Sequence, residues 1–159
     1  MATIELVTII NAPLQRVFDL ARSIDLHQES TGATRETAVA GVTSGLIGAD
    51  GEVTWRARHL LAWRDLSVRI TKFDQPHLFV DEMVKGDFKQ LRHEHRFEKA
   101  HEGTRMRDSL TFTCPYGLLG LAVEMIFLKG YMERFLKERN KILKEVAESD
   151  RWREFLPAT

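Results

Sequence analysis

Residues 118–146 read LLGLAVEMIFLKGYMERFLKERNKILKEV, a segment in which Leu118, Leu121, Ala122, Met125, Leu128, Met132, Phe135, Leu136, Ile142, Leu143 and Val146 keep one stripe. Lys, Glu and Arg fill the other face, which is the pattern of an amphipathic helix. A helix of nearly thirty residues runs roughly 45 Å. That is longer than one strand of a sheet, and so wide an apolar stripe needs a concave surface to cover it. Gly130 would either kink the helix or permit a close contact.

The concave surface is written upstream. Between Thr34 and Cys114 the helical period gives way to six runs with strand character, at about 36–42, 52–61, 67–73, 79–85, 88–98 and 105–114. The breaks between them, at 45–51, 63–65, 74–77, 86–87 and 101–103, each contain Gly, Pro or Asp. Strands joined this closely pair antiparallel, because a parallel crossover needs a dozen or more residues. Before them, the run from Ile4 reads as a further strand stopped by Asn11-Ala12-Pro13. Asn11 can cap a short helix over about 13–22, where Leu14, Val17, Phe18 and Ala21 recur at helical spacing, and residues 25–30 form a second helical turn carrying His27. The fold class is therefore α+β: a seven-stranded curved antiparallel sheet around a long C-terminal helix, with two short helices after the first strand.

Composition narrows the function. With 159 residues and 43% apolar side chains the chain suits one core over residues 1–159. Its 23 basic and 23 acidic residues cancel, so there is no overall field to attract phosphates and nucleic acid is not the expected partner. Cys114 is the only cysteine, and neither a basic leader nor a long uncharged apolar stretch occurs. The cytoplasm is the expected location and no membrane span is expected. Oligomeric state is left open.

Side chains two apart on a strand share a face, so Leu91, His93, His95 and Phe97 lie together. The same rule groups Val53, Trp55, Ala57 and His59, then Phe79, Asp81 and Met83, and then Met106, Asp108, Leu110 and Phe112. If all four sets face the helix, three histidines and two aspartates line an otherwise apolar hollow, the usual make-up of a ligand pocket. The expected ligand-binding residues are Trp55, His59, Phe79, Asp81, Met83, Leu91, Phe97, Leu110, Phe112, Met125 and Met132. A general base would be His93 or His95 oriented by Asp108. The plainer reading has these histidines satisfied by hydrogen bonds that only shape the pocket. A zinc site using His59, His93, His95 and His27 is the weaker reading, since no cysteine pair, HExxH pattern or third ligand close in sequence supports it. No metal or other cofactor is expected, and Cys114 reads as a structural thiol. Arg56, Arg58, Arg92, Arg96, Arg105 and Arg107 fall on the opposite faces with Glu82, Glu94 and Glu98, as solvent-exposed ion pairs. The four glycines of residues 41–51 match no phosphate-binding spacing and read as a mobile loop at the pocket mouth.

The order of elements resembles the START-like superfamily, or helix-grip fold. The segments at 38–45, 53–59, 79–83, 93–97 and 131–140 resemble those of a bacterial branch near polyketide cyclase/dehydratase and lipid-transport proteins. That resemblance implies a cavity between the long helix and the sheet that takes lipids, polyketides or similar small hydrophobic molecules. Three functions stay open: a binding module, a cyclase/dehydratase-type enzyme with a pocket histidine as base, and a regulatory interaction protein of the kind labelled cell-division inhibitor, acting through its surface.

Overall fold

The computed structural model describes residues 1–59, 61–115 and 127–157. Seven strands form one sheet, β1 (Ala2–Ile10), β2 (Thr37–Gly41), β3 (Glu52–His59), β4 (Ala62–Asp74), β5 (Leu78–Lys85), β6 (Gln90–Ala100) and β7 (Gly103–Thr113). Their spatial order is β1-β7-β6-β5-β4-β3-β2, a meander from β2 to β7 with β1 laid against β7, and every neighbouring pair is antiparallel. Register shifts interrupt the β2–β3 and β4–β5 ladders. Such irregularities bend strands and increase their twist.

Two short helices, α1 (Leu14–Ala21) and α2 (Ile24–Ser30), follow β1, and α3 (Lys129–Glu148) lies near the C-terminus. α1 is amphipathic and buries Val17, Phe18, Leu20 and Ala21. Asn11 does not cap it: Pro13 holds the cap position without a side-chain bond, and the Asn11 N–H donates instead to Glu148 Oε1 at 2.8 Å. α2 is capped by Ser23, whose Oγ accepts from the Leu26 N–H at 3.3 Å. Leu128 already has helical backbone angles, φ −71° and ψ −37°, so helical conformation does not begin at α3's first residue. The expected start of this helix, with Met125, lies outside the described residues. An added Cβ on Gly130 would meet nothing within 4 Å among the described residues.

Two further expectations are corrected. Trp63–Asp65 is not a break but part of β4, paired with β3 from His59↔Ala62 onward, and Leu61 takes the positive φ of 70° that the turn needs. These residues extend because Arg56 on β3 makes a two-pronged ion pair with Asp65, 2.8 Å at both contacts, and Arg64 reaches Asp87. The glycine-rich loop after β2 is anchored rather than loose. The Ile24 N–H donates to the Gly45 carbonyl at 2.9 Å, the Ile47 N–H to the Arg22 carbonyl at 3.1 Å, and Asp25 accepts from the Gly45 N–H at 2.8 Å.

The inner faces hold the residues that strand alternation assigns to them: Val53, Trp55 and Ala57, then Leu91, His93, His95 and Phe97, then Met106, Asp108, Leu110 and Phe112 are all buried. Two apolar clusters form there. One centres on Phe18 with Phe79, Phe97, Met106, Leu143 and Val146; the other joins Ala2, Ile4, Leu91, Leu110, Phe112 and Leu136. The outer face carries the ion pairs, including Arg92 with Glu94 and Glu82, and Arg105 and Arg107 with Glu98. Among the described residues, no helix is long and apolar enough to cross a membrane.

Candidate functional site

Where the two clusters part, a hollow of about 330 Å³ lies between the inner sheet face and α3. Its walls are chiefly apolar, with Ile47, Val53, Trp55, Val68 and Ile70 on one side and Leu91, Leu110, Met132 and Leu136 on another. The volume falls at the small end of the range usual for ligand sites.

A polar band crosses the sheet beneath it. Antiparallel register sets Asp81 on β5 directly against His93 on β6, and His95 on β6 against Asp108 on β7. His93 Nε2 is 3.2 Å from Asp108 Oδ1, and His95 Nε2 is 3.2 Å from Asp81 Oδ1. His95 Nδ1 lies 2.8 Å from Asp108 Oδ1, an ion-pair contact that is off the line of the ring N–H. Asp108 is fully buried and its other oxygen accepts from Asn140 Nδ2 at 2.7 Å.

These contacts push the two histidines apart. Burial lowers the pKa of His95, but the close carboxylates of Asp108 and Asp81 outweigh it and leave the imidazole above its ordinary value. For His93, burial and the charge of His95 prevail over Asp108 and Asp81, so its pKa falls. Burial raises Asp108, yet the two histidines overcome it and hold the carboxyl well below the usual range. Asp81 is likewise lowered against its burial, first by its hydrogen bond to His95. The band thus sets two imidazoles side by side, with the pKa of His95 above its ordinary value and that of His93 below it.

A second polar group faces the hollow from the other side. Glu36 is 8% exposed, its Oε2 lies 3.3 Å from His27 Nε2 without an aligned hydrogen bond, and the His27 ring stacks on Trp55 at 4.0 Å. Burial pushes the Glu36 carboxyl up, but His27, His59 and Arg139 together bring it below its ordinary value. His59 Nδ1 meets the Tyr131 hydroxyl at 2.8 Å. Burial lowers the His59 pKa, only partly offset by Glu36.

Between the two groups stands Arg139 of α3, 5% exposed, whose Nη2 donates to the Ala21 carbonyl at 3.3 Å. Its Nη1 is 4.0 Å from Asp108 Oδ1, and neither Nε nor Nη1 has a hydrogen-bond partner among the described residues. Buried donors in that state normally find water or a ligand.

Of the residues expected at the site, Trp55, His59, Phe79, Asp81, Leu91, His93, His95, Leu110 and Met132 border the hollow. Four others stand off it. Phe97 packs edge-on against Phe18 at 5.3 Å, Phe112 against Phe88 at 5.6 Å, Met83 sits beside the second cluster, and Asp108 lies behind the histidines. Met125 lies outside the described residues. Glu36, Arg139, Asn140 and Tyr131 escaped the strand-face reading. A signal existed for two of them: Arg139 and Asn140 sit three and four residues after Leu136 and before Leu143, inside the apolar stripe.

Comparison with known proteins agrees with this architecture. The family model described as Polyketide cyclase / dehydrase and lipid transport matches residues 1–148. No curated protein matches the chain. Among solved structures, TTHA0849 from Thermus thermophilus superposes with a TM-score of 0.74 at 19% identity, covering 91% of this chain and 95% of that one. A START superfamily protein from Mycobacterium smegmatis gives 0.69 at 8% identity, over 92% and 97% of the two chains. Ginseng major latex-like protein 151 from Panax ginseng gives 0.68 at 13% identity, over 93% and 98%.

Proposed function

The chain belongs to the polyketide cyclase/dehydrase and lipid transport family, and we propose that its hollow binds one small hydrophobic molecule, a lipid, polyketide or similar compound. The observation that carries this reading is the apolar hollow of about 330 Å³ crossed by a narrow polar band. Burying an apolar ligand contributes roughly 25 cal/mol per Å² removed from water. Asp81, His59, His93 and Arg139 then orient its polar end, with Trp55, Leu91, Leu110 and Met132 against its apolar body. A hollow of this kind serves a binding module better than a protein that acts through its surface alone.

The test is displacement of a fluorescent apolar probe such as anilinonaphthalene sulfonate by medium-chain fatty acids and by aromatic ketones. One displaceable probe per chain is expected. Ala57 is buried on the hollow's wall, so Ala57→Trp should fill the space and abolish binding while far-UV circular dichroism stays unchanged. Probe binding that survives in a folded Ala57→Trp protein overturns the reading.

One observation favours a second reading, catalysis on the bound molecule. Burial and the charge of His95 lower the pKa of His93, and its contact with Asp108 orients the ring, as a general base acting on an enolisable or β-hydroxy carbonyl substrate would require. His95 and Asp108 would then be positioning residues. Turnover lost in His93→Ala with probe binding retained would support it.

A further inference from the structure

We propose that Asp81, His93 and His95 form a binding site for one divalent transition-metal ion of the zinc and iron(II) class on the wall of the hollow. Two neighbouring strands supply the donors. His93 and His95 share the inner face of β6, and Asp81 on β5 pairs directly with His93. One ring nitrogen from each histidine and one Asp81 oxygen all lie within 4.8 Å of one another. This is the third ligand that sequence spacing lacked, and it comes from the register of the sheet rather than from His59.

The spacing suits an ion. Bonds of about 2.0–2.1 Å in a tetrahedral site separate adjacent donors by roughly 3.3 Å. His95 Nε2 and Asp81 Oδ1 stand 3.2 Å apart, so the pair needs no backbone movement to share a metal. Two imidazoles with one carboxylate are a donor set that zinc and non-haem iron(II) both take. Three protein ligands leave a coordination position for another group, and because all three residues border the hollow, that position opens onto it.

The surroundings fit as well. Asp108 Oδ1 lies 2.8 Å from His95 Nδ1 and 3.2 Å from His93 Nε2, and Asn140 Nδ2 holds the other Asp108 oxygen at 2.7 Å. A carboxylate behind a ligating imidazole fixes the ring and raises its basicity, and here one carboxylate touches both rings. With both imidazoles neutral, the charges of Asp81 and Asp108 exceed that of Arg139, whose Nη1 is 4.0 Å from Asp108. A dication reverses that excess and leaves the site positive toward an oxygen donor entering the hollow. The competing occupant is a proton, since an imidazolium at His95 also bridges the two carboxylates.

Titration of chelator-treated protein with zinc(II) and cobalt(II) decides between them. Calorimetry should give one ion per chain, cobalt(II) should develop the visible bands of a four- or five-coordinate site, and zinc should raise Tm by mass action. Asp81→Asn and His93→Asn are each expected to weaken zinc binding by about 100-fold or more, and Asp108→Asn by about 10–100-fold. Should a variant fail to fold, the wild-type cobalt titration carries the test: a spectrum that stays that of the free aqua ion overturns the proposal. So does wild-type binding no tighter than about 1 mM, or zinc affinity undiminished in a folded Asp81→Asn protein, which would assign the ion to exposed histidines such as His77 and His101.

Discussion

Along one face of β6, residues two apart are put to opposite uses. At Phe97 the inner face is closed: Phe18 of α1 is fully buried and meets Phe73, Phe79 and Phe97 edge-on, with ring centroids 5.5, 5.7 and 5.3 Å away. At His93 and His95 the same face borders open space and carries ionisable groups. The sheet continues unbroken through both, so the difference arises from what covers it. α1 lays an apolar helix on the Phe97 end, whereas the other end meets Arg139 and Asn140 of α3. Stability is concentrated where aromatic rings interlock, and recognition where packing stops and polar groups are left to face a hollow.

The contrast breaks most sharply at Phe18. Phe18→Ala removes a ring from a filled core and should cost about 3–5 kcal/mol, read as a lowered urea midpoint without loss of slope. A cost below about 1 kcal/mol would mean that the Phe18 end is no tighter than the hollow.

An intermediate effect is expected at Glu36, where the contribution depends on pH. Its folded-state pKa lies below the ordinary 4.5, so the unfolded chain takes up the proton first as pH falls. The stability from this group is complete above about pH 4.5 and is lost as pH drops through the folded value. The difference in unfolding free energy between wild type and Glu36→Gln should therefore be constant near neutrality and shrink below that point. A difference that grows on acidification would show that burial, rather than His27, governs this carboxyl.

The smallest effect belongs to Met132, a partly buried side chain that already borders open space. Met132→Ala should cost no more than about 1 kcal/mol, because the atoms removed have few neighbours to lose, while it weakens displacement of the apolar probe. A stability loss rivalling that of Phe18→Ala would place Met132 in the closed core.

What the chain determined by itself was whatever depends on a short repeat. A stripe of period 3.6 marked α3, and a period of two assigned His93, His95, Asp108 and Trp55 to the inner face, because both periods are properties of a few consecutive residues. Turn chemistry was less telling: Trp63–Asp65 contains an aspartate yet runs on in β4, since cross-strand ion pairs reward extension there. Tertiary structure alone decided which inner residues border space. Leu91 and Phe97 are indistinguishable by alternation, but one lines the hollow and the other packs beneath α1. It also brought Asp81 to His93, and Glu36 and Arg139 to the same hollow. Those meetings depend on register across the sheet and on where α3 crosses it. Both are set by the packing of the whole assembly, which no local pattern encodes.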